Sequence, residues 1–238
     1  MTFLTNAVVL VTGANGGIGT EFVHGVLARG ATKVYATART PREWNEERIV
    51  PLTLDVTDAD SIAAAVAAAG DVTVLINNAG GLPQTASMLE VTDADLRQVM
   101  EINFFAPLAV ARAFAPILVA APNAALIDMH SVASWYAFGG PYSASKAALW
   151  SATNSLRLEL APHGVLVTGV HVGYVDTAMA AHADGPKMNP SDLVAAVLDG
   201  VEDDAYEVIG DQISAQVKTA LSAPIEVLYP ELRGAQDA

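Results

Sequence analysis

The chain has 238 residues, 52% hydrophobic and only 16% charged, which excludes a disordered segment and suits one α/β domain over 1–238. A formal charge of −14, from 12 basic and 26 acidic residues, argues against a nucleic-acid backbone or an anionic membrane as partner. Cysteine is absent, so disulfides, thiolate metal sites and a catalytic thiol are excluded. The N-terminus lacks a basic start, and no 18-residue apolar run is free of charges or breakers. A soluble, cytoplasmic protein is therefore expected, and the histidine spacing suggests no metal.

A β-branched run at 7–12 reads as the first strand, followed by a glycine-rich turn and a helix over 17–28. Strands are expected at 33–37, 49–54 and 72–76, with a helix at 61–69 before the last of these. A long helix from about 93 to 119 precedes a strand at 125–129. The helix carrying Tyr142 runs to about Leu160, and 165–170 is the sixth strand. Beyond Val172, Asp184-Gly185-Pro186 and Asn189-Pro190 break the chain, giving a lid over about 175–192 before an apolar helix at 193–198. Residues 206–209 are a candidate seventh strand, and 213–221 a final helix. Strands alternating with helices imply a doubly wound, mostly parallel sheet of six to seven strands with helices on both faces.

Directly after the first strand, Thr12-Gly13-Ala14-Asn15-Gly16-Gly17-Ile18-Gly19 opens the first helix with glycines in the pattern GxxxGxG. Missing Cβ atoms admit a pyrophosphate to the backbone, and the helix start offers unpaired N–H groups. The competing reading is a turn that needs glycine only for packing. No acid stands about 20 residues further on, where NAD-binding folds place one for the ribose hydroxyls. Arg39 ends strand two instead, and its guanidinium suits a 2′-phosphate, so NADP(H) is preferred over NAD(H). The competing reading is that Arg39 and Arg42 simply solvate the loop. Asp55, after strand three, suits the adenine amino group or a cap. Tyr142 and Lys146 are four apart on one helix face, and a cation beside a phenol of pKa about 10 favours the phenolate.

These motifs, with Asn77-Asn78-Ala79-Gly80, Asn103 and Ser131 in that order, resemble the short-chain dehydrogenase/reductase family over nearly the whole chain. The resemblance implies a single Rossmann-like domain and hydride transfer between a nicotinamide and a carbonyl or alcohol carbon. Tyr142 would be the general acid or base, and Lys146 would hold the nicotinamide ribose and lower the phenol's pKa. Ser131 would hydrogen-bond the substrate oxygen, and Asn103 would hold a water leading to Lys146. Cofactor contacts would come from Gly13, Asn15, Gly17, Ile18, Gly19, Arg39, Asp55, Val56, Asn78, Ala79, Gly80, Tyr142, Lys146, Gly173, Val175 and Thr177.

The sequence departs from the family at two places. Ser131 lies 11 positions before Tyr142, shorter than in many members, leaving Ser134 as a competitor; position 130, often serine, is His130, expected to pack or support rather than react. Val172-Gly173 replaces the usual Pro-Gly after strand six. The substrate pocket is expected at Gln84, Trp135, Tyr136, Phe138 and Met179, which suits a medium-sized apolar ketone or aldehyde. Family members usually pair through two long helices, here near 93–119 and 142–160, so a homodimer or homotetramer is expected. The leading expectation is an NADPH-dependent carbonyl reductase, reversible as an alcohol dehydrogenase. The alternatives are an NAD-dependent alcohol dehydrogenase and a non-catalytic dinucleotide-sensing protein.

Overall fold

The computed structural model describes residues 3–234, so residues 1–2 and 235–238 of the expected domain lie outside the described residues. Short β-branched runs form seven strands: β1 Val8–Val11, β2 Lys33–Ala38, β3 Ile49–Thr53, β4 Val74–Asn77, β5 Ala125–Met129, β6 Leu166–His171 and β7 Glu207–Ile209. They make one sheet in the order β3-β2-β1-β4-β5-β6-β7, every neighbouring pair parallel. This is a Rossmann-like doubly wound sheet, with its switch point between β1 and β4.

The helices are α1 Gly17–Ala28, α2 Ala59–Ala68, α3 Asp93–Met100, α4 Ala106–Ala120, α5 Pro141–Leu160, α6 Pro190–Glu202 and α7 Gln212–Ala220, followed by short turns at Ile225–Leu228 and Glu231–Gly234. Alternation along β1 sorts the core onto two faces. Val9 and Val11 join a cluster with Phe22, Val26, Val194 and Val197 of α1 and α6, while Leu10 joins Ile62, Val110, Phe114 and Leu156 of α2, α4 and α5. Both faces are fully covered, as buried parallel strands require.

The expected helix over 93–119 is not uniform. Between α3 and α4 the backbone widens into one π-helical turn, Glu101–Phe105, a feature that often marks functional positions. By length and composition Asp93–Ala120 is apolar enough to cross a bilayer, though Pro107, Arg112 and Pro116 interrupt it. Here it packs on α2, β4, β5 and α5.

Past β6, Val175 bridges Met188, and Asp176 N–H donates to Met188 O at 2.9 Å, which draws together the ends of a loop over 177–187. The sequence places the lid's end near 192, but α6 already starts at Pro190, capped by Asn189 through Ser191 N–H. Proline at the first helical position fits there because its missing N–H has no helical partner to lose.

Candidate active site

One cleft of about 1290 Å³ runs along the carboxyl edge of the sheet, where loops after β1, β2, β4, β5 and β6 converge. At one end lies the glycine turn. Gly13 holds φ +67°, and a Cβ on Gly19 would stand 2.3 Å from Gly13 O, so neither position admits an ordinary side chain. α2, α3, α6 and α7 are each capped by a side chain, from Asp58, Thr92, Asn189 and Asp211. α1 has Gly16 at its N-cap, so no side chain caps it, and no acid stands in its first turn, which leaves its N–H groups facing the cleft open to an anion.

Asn15 Nδ2 donates to Thr40 O at 2.8 Å, and Ile18 lines the cleft beside Gly16 and Gly17. Thr177 folds back over this turn: a Cβ on Gly17 would meet Thr177 Cγ2 at 2.8 Å. Asn78 is occupied by the protein itself, its Nδ2 donating to Thr12 O at 2.8 Å, while Thr12 Oγ1 accepts from Asn78 N–H and Ala79 N–H. Thr12 thus joins the two loops flanking the switch point. Only its place at the end of β1, before the glycines, hints at this task.

The two arginines separate clearly. Arg42 donates to Thr20 Oγ1 at 3.2 Å and lies 3.9 Å over the Trp44 ring. Arg39 lines the cleft, exposed, with no hydrogen bond or ion pair among the described residues. Asp55 Oδ1 accepts from Thr57 Oγ1 at 2.7 Å and Thr57 N–H at 3.0 Å; these bonds, then the Arg39 charge, hold its carboxyl below the usual range. Asp58, not Asp55, caps α2. Val56 lines the same end.

At the opposite end Tyr142, Ser131 and Lys146 meet. Ser131 leaves β5 directly, accepts from Ala133 N–H at 3.2 Å, donates to Val172 O at 3.3 Å, and lies where its hydroxyl draws the Tyr142 phenol down against burial. Ser134 is buried away from the cleft walls, so the shortened loop brings Ser131 rather than Ser134 to Tyr142. Asn103 sits in the π turn, fully buried, and exchanges two 2.9 Å bonds with the Gly81 backbone while donating to Ser145 Oγ at 3.0 Å. Ser145 in turn donates to Tyr142 O at 2.7 Å, a link the sequence reading did not single out. A Cβ on Gly80 would fall 3.2 Å from Asn103 Oδ1 and 3.8 Å from Lys146 Nζ, so glycine keeps those groups open to one another.

The expected priming of the phenol by Lys146 needs correction. Lys146 Nζ donates to Met129 O at 2.7 Å and lies 5.8 Å from the centre of the Tyr142 ring. Burial pushes the phenol up to about 12, with Ser131 pulling down and Tyr174 adding to the rise, and Lys146 makes no direct contribution. The i, i+4 spacing selects a shared face but not a shared bond, and here desolvation wins. Burial also brings Lys146 down to about 8.

The loop beyond β6 is anchored from the C-terminal side. Gly173 N–H donates to Asp211 Oδ2, and Asp211 also caps α7. Gly173, Val175, Thr177 and Met179 all line the cleft, as do Gln84 and Phe138. Trp135 and Tyr136 do not. Trp135 is buried flat against His171, ring centres 3.7 Å apart, and Tyr136 stacks on Tyr229 at 5.1 Å. The 3-10 turn Val132–Ser134 carries both rings away from the cleft. Leu82 and Pro83, within the expected border 81–84, line it together with Ile102 and Tyr174, which the sequence did not point to.

The family model for short chain dehydrogenases matches residues 7–187. The chain belongs to the short-chain dehydrogenase/reductase family. A short-chain dehydrogenase of Penicillium crustosum is 38% identical over 187 residues, 71% of this chain, and the match spans 66% of that relative's length. A short-chain dehydrogenase from Burkholderia cenocepacia, solved in complex with NADP, superposes with TM-score 0.88 at 36% identity, covering 96% of this chain and 98% of that one. An NADPH-bound carbonyl reductase from chicken fatty liver superposes with TM-score 0.79 at 29% identity, covering 87% and 97%.

Proposed function

We propose that the chain is an NADPH-dependent carbonyl reductase, reversible as an alcohol dehydrogenase, on a medium-sized apolar ketone or aldehyde. The observation that carries this reading is the convergence of the Tyr142 and Ser131 hydroxyls in one cleft with Lys146 behind them. A non-catalytic nucleotide sensor has no use for that convergence.

The residues present fit a dinucleotide phosphate. The turn that Gly19 lets fold tightly onto Gly13 O, the uncapped start of α1 and the unpaired Arg39 together suit a pyrophosphate and a 2′-phosphate. Gly13, Asn15, Gly17, Ile18 and Gly19 would hold the pyrophosphate, Arg39 the 2′-phosphate, Asp55 and Val56 the adenine, and Asn78 to Gly80 with Lys146 the nicotinamide side. Gly173, Val175 and Thr177 close over it, and the loop 177–187 serves as the lid. The bound coenzyme supplies the hydride.

The protein supplies the rest. Ser131 donates to the substrate oxygen as negative charge builds there. Tyr142 gives its proton to that oxygen in reduction and takes one back in oxidation. The fixed Asn103 holds the Gly81 backbone beside Lys146, where the proton is replaced from solvent. Among the described residues Arg39 and Lys146 are the only arginine or lysine on the cleft wall, which leaves neither type to receive a substrate carboxylate or phosphate. Leu82, Pro83, Ile102, Phe138 and Met179 present apolar surface instead. Pairing into a homodimer or homotetramer would use α4 with the π turn before it, and α5, where Phe105, Val119 and Leu158 are exposed.

The test is NADPH consumption, followed by absorbance, over a panel of apolar ketones and aldehydes. Turnover that is faster with NADPH than with NADH is expected. Tight coenzyme binding with no turnover on any carbonyl would overturn the reading in favour of a sensor.

A further inference from the structure

Behind Ser131 runs a chain of buried polar side chains that this reaction leaves unused. His171 Nδ1 lies 3.2 Å from Ser131 O, and His171 Nε2 lies 3.1 Å from His130 Nδ1. His130 Nε2 is 2.9 Å from Thr153 Oγ1, which is 2.7 Å from Asp128 Oδ2. Asp128 Oδ1 accepts from Asn77 Nδ2 at 2.9 Å. None of these four side-chain residues is more than 4% exposed. The room is made by glycine on the adjacent strand, since a Cβ at Gly169 would stand 2.7 Å from His130 Cε1.

Four contacts, from the Ser131 carbonyl to Asp128, each need one hydrogen, and Thr153 Oγ1 also lies 2.9 Å from Leu149 O, a further acceptor that brings none. Two neutral imidazoles and one hydroxyl bring three. The carbonyl can only accept, so His171 carries its hydrogen on Nδ1 and accepts on Nε2. His130 must then donate from Nδ1 and accept on Nε2, which uses the Thr153 hydroxyl hydrogen. The last contact, between Thr153 Oγ1 and Asp128 Oδ2, is left with two lone pairs facing each other unless a fourth proton is present.

We propose that Asp128 is carried as a neutral carboxylic acid whose O–H closes this hydrogen-bonded chain, making Asp128, Thr153, His130 and His171 the positioning residues for Ser131. The inference rests on the reading of Ser131 as donor to the substrate oxygen. Burial drives the acid and the rings in opposite directions, raising the Asp128 carboxyl and lowering both imidazoles, His171 to about 4. The proton therefore rests on the carboxyl. The Lys146 and Arg157 charges oppose the rise at Asp128 but rank behind burial, and neither cation bonds to it: Lys146 donates to Met129 O and Arg157 to Val167 O and Tyr206 O, while Glu207, 3.7 Å from His171, pairs with Lys218. Lys146 and His171 thereby hold the two carbonyls on either side of His130, at Met129 and Ser131. The strand end that presents the serine hydroxyl is fixed from both sides.

Infrared spectra of the full chain with 13C-labelled aspartate, taken at about pH 8 where exposed carboxyls are ionised, read this directly. A protonated-carboxyl C=O band is expected in the unsubstituted protein and should vanish in Asp128→Asn. That substitution copies the neutral acid, so kcat should stay within about threefold and the pH–rate profile should not move. His171→Phe keeps a ring against Trp135 but removes the donor to Ser131 O, and should lower kcat about tenfold with unchanged coenzyme affinity. His171→Asn, whose Nδ2 takes the place of Nδ1, should restore most of the loss. Absence of the band, a shifted pH profile in Asp128→Asn, or an unaffected kcat in His171→Phe would overturn the proposal. The band is read without turnover and without any variant. It can therefore be present in a protein that reduces no carbonyl, or absent in one that does.

Discussion

At the glycine-turn end of the cleft the groups that would act are largely main chain, whereas at the opposite end they are hydroxyl, amide and ammonium groups set among apolar side chains. Gly13, Gly16, Gly17 and Gly19 contribute by what they lack, and the first turn of α1 offers backbone N–H groups. Tyr142, Ser131, Asn103 and Lys146 contribute particular atoms, each held by a distant partner, as Asn103 is by Ser145. The two ends should therefore fail in opposite ways. Adding one carbon should ruin the first, and removing one oxygen should ruin the second.

The largest expected effect is at the second end. Tyr142→Phe removes a single oxygen and should cut turnover by about 10²- to 10⁴-fold, the range credited to general acid–base groups, while coenzyme affinity stays within a few fold. Steady-state rates beside a fluorescence titration of NADPH would separate the two quantities. A Phe variant that still turns over would end the assignment.

Gly19→Ala makes the converse change. Its Cβ would sit 2.3 Å from Gly13 O and 2.9 Å from Ala14 Cα, both backbone atoms with little room to yield. Overpacking of this kind costs about 1–3 kcal/mol, so coenzyme affinity should fall by about 10- to 100-fold, with a lowered melting temperature. Tyr142 and Ser131 should keep their environment. Normal NADPH binding in this variant would show that the turn does not meet the phosphates through its backbone.

Acid should act on the support of the side-chain end. His130 and His171 are held neutral by burial, His171 at about 4 against about 6.5 when unfolded. Between those values the unfolded chain binds protons that the folded chain refuses, so stability is full above about pH 6.5 and declines as pH falls toward 4. Asp128, with its raised pKa, opposes this, but one carboxyl does not offset two imidazoles. Denaturant titrations should show a loss of about 1 kcal/mol per pH unit across that window, and less in His171→Phe. A flat profile would mean that the rings are hydrated or charged in the folded state.

Whether a feature could be read in the sequence follows the same division. The glycine turn was legible because a backbone site is written as missing side chains at fixed spacing, and the strands because β-branched runs have few alternatives. The π turn was not, since one extra residue inside an apolar helix leaves no mark in the hydrophobic pattern. Trp135 and Tyr136 were misplaced for a related reason: where a loop aromatic points depends on what receives it, and the receivers, His171 and Tyr229, lie 36 and 93 residues away. The spacing of Tyr142 and Lys146 located both groups on one helix face, but the ammonium's partner, Met129 O, comes from the end of strand β5.

Arg39 is the smallest effect and the exception to the division, a side chain at the backbone end. It is exposed and unpaired, so its removal should leave the fold and the pyrophosphate cradle unchanged. What it offers is a charged fork for one additional phosphate, in competition with water and screened by salt. Arg39→Ala should therefore weaken NADPH about tenfold and NADH hardly at all, with the difference shrinking as ionic strength rises. Arg42 provides the control. It is already committed to Thr20 and Trp44, so Arg42→Ala should lower the affinity for both coenzymes alike, through the turn it braces. Equal losses for both coenzymes in Arg39→Ala would place the selectivity in the backbone, and the side chain at this end would then be doing no more than solvating its loop.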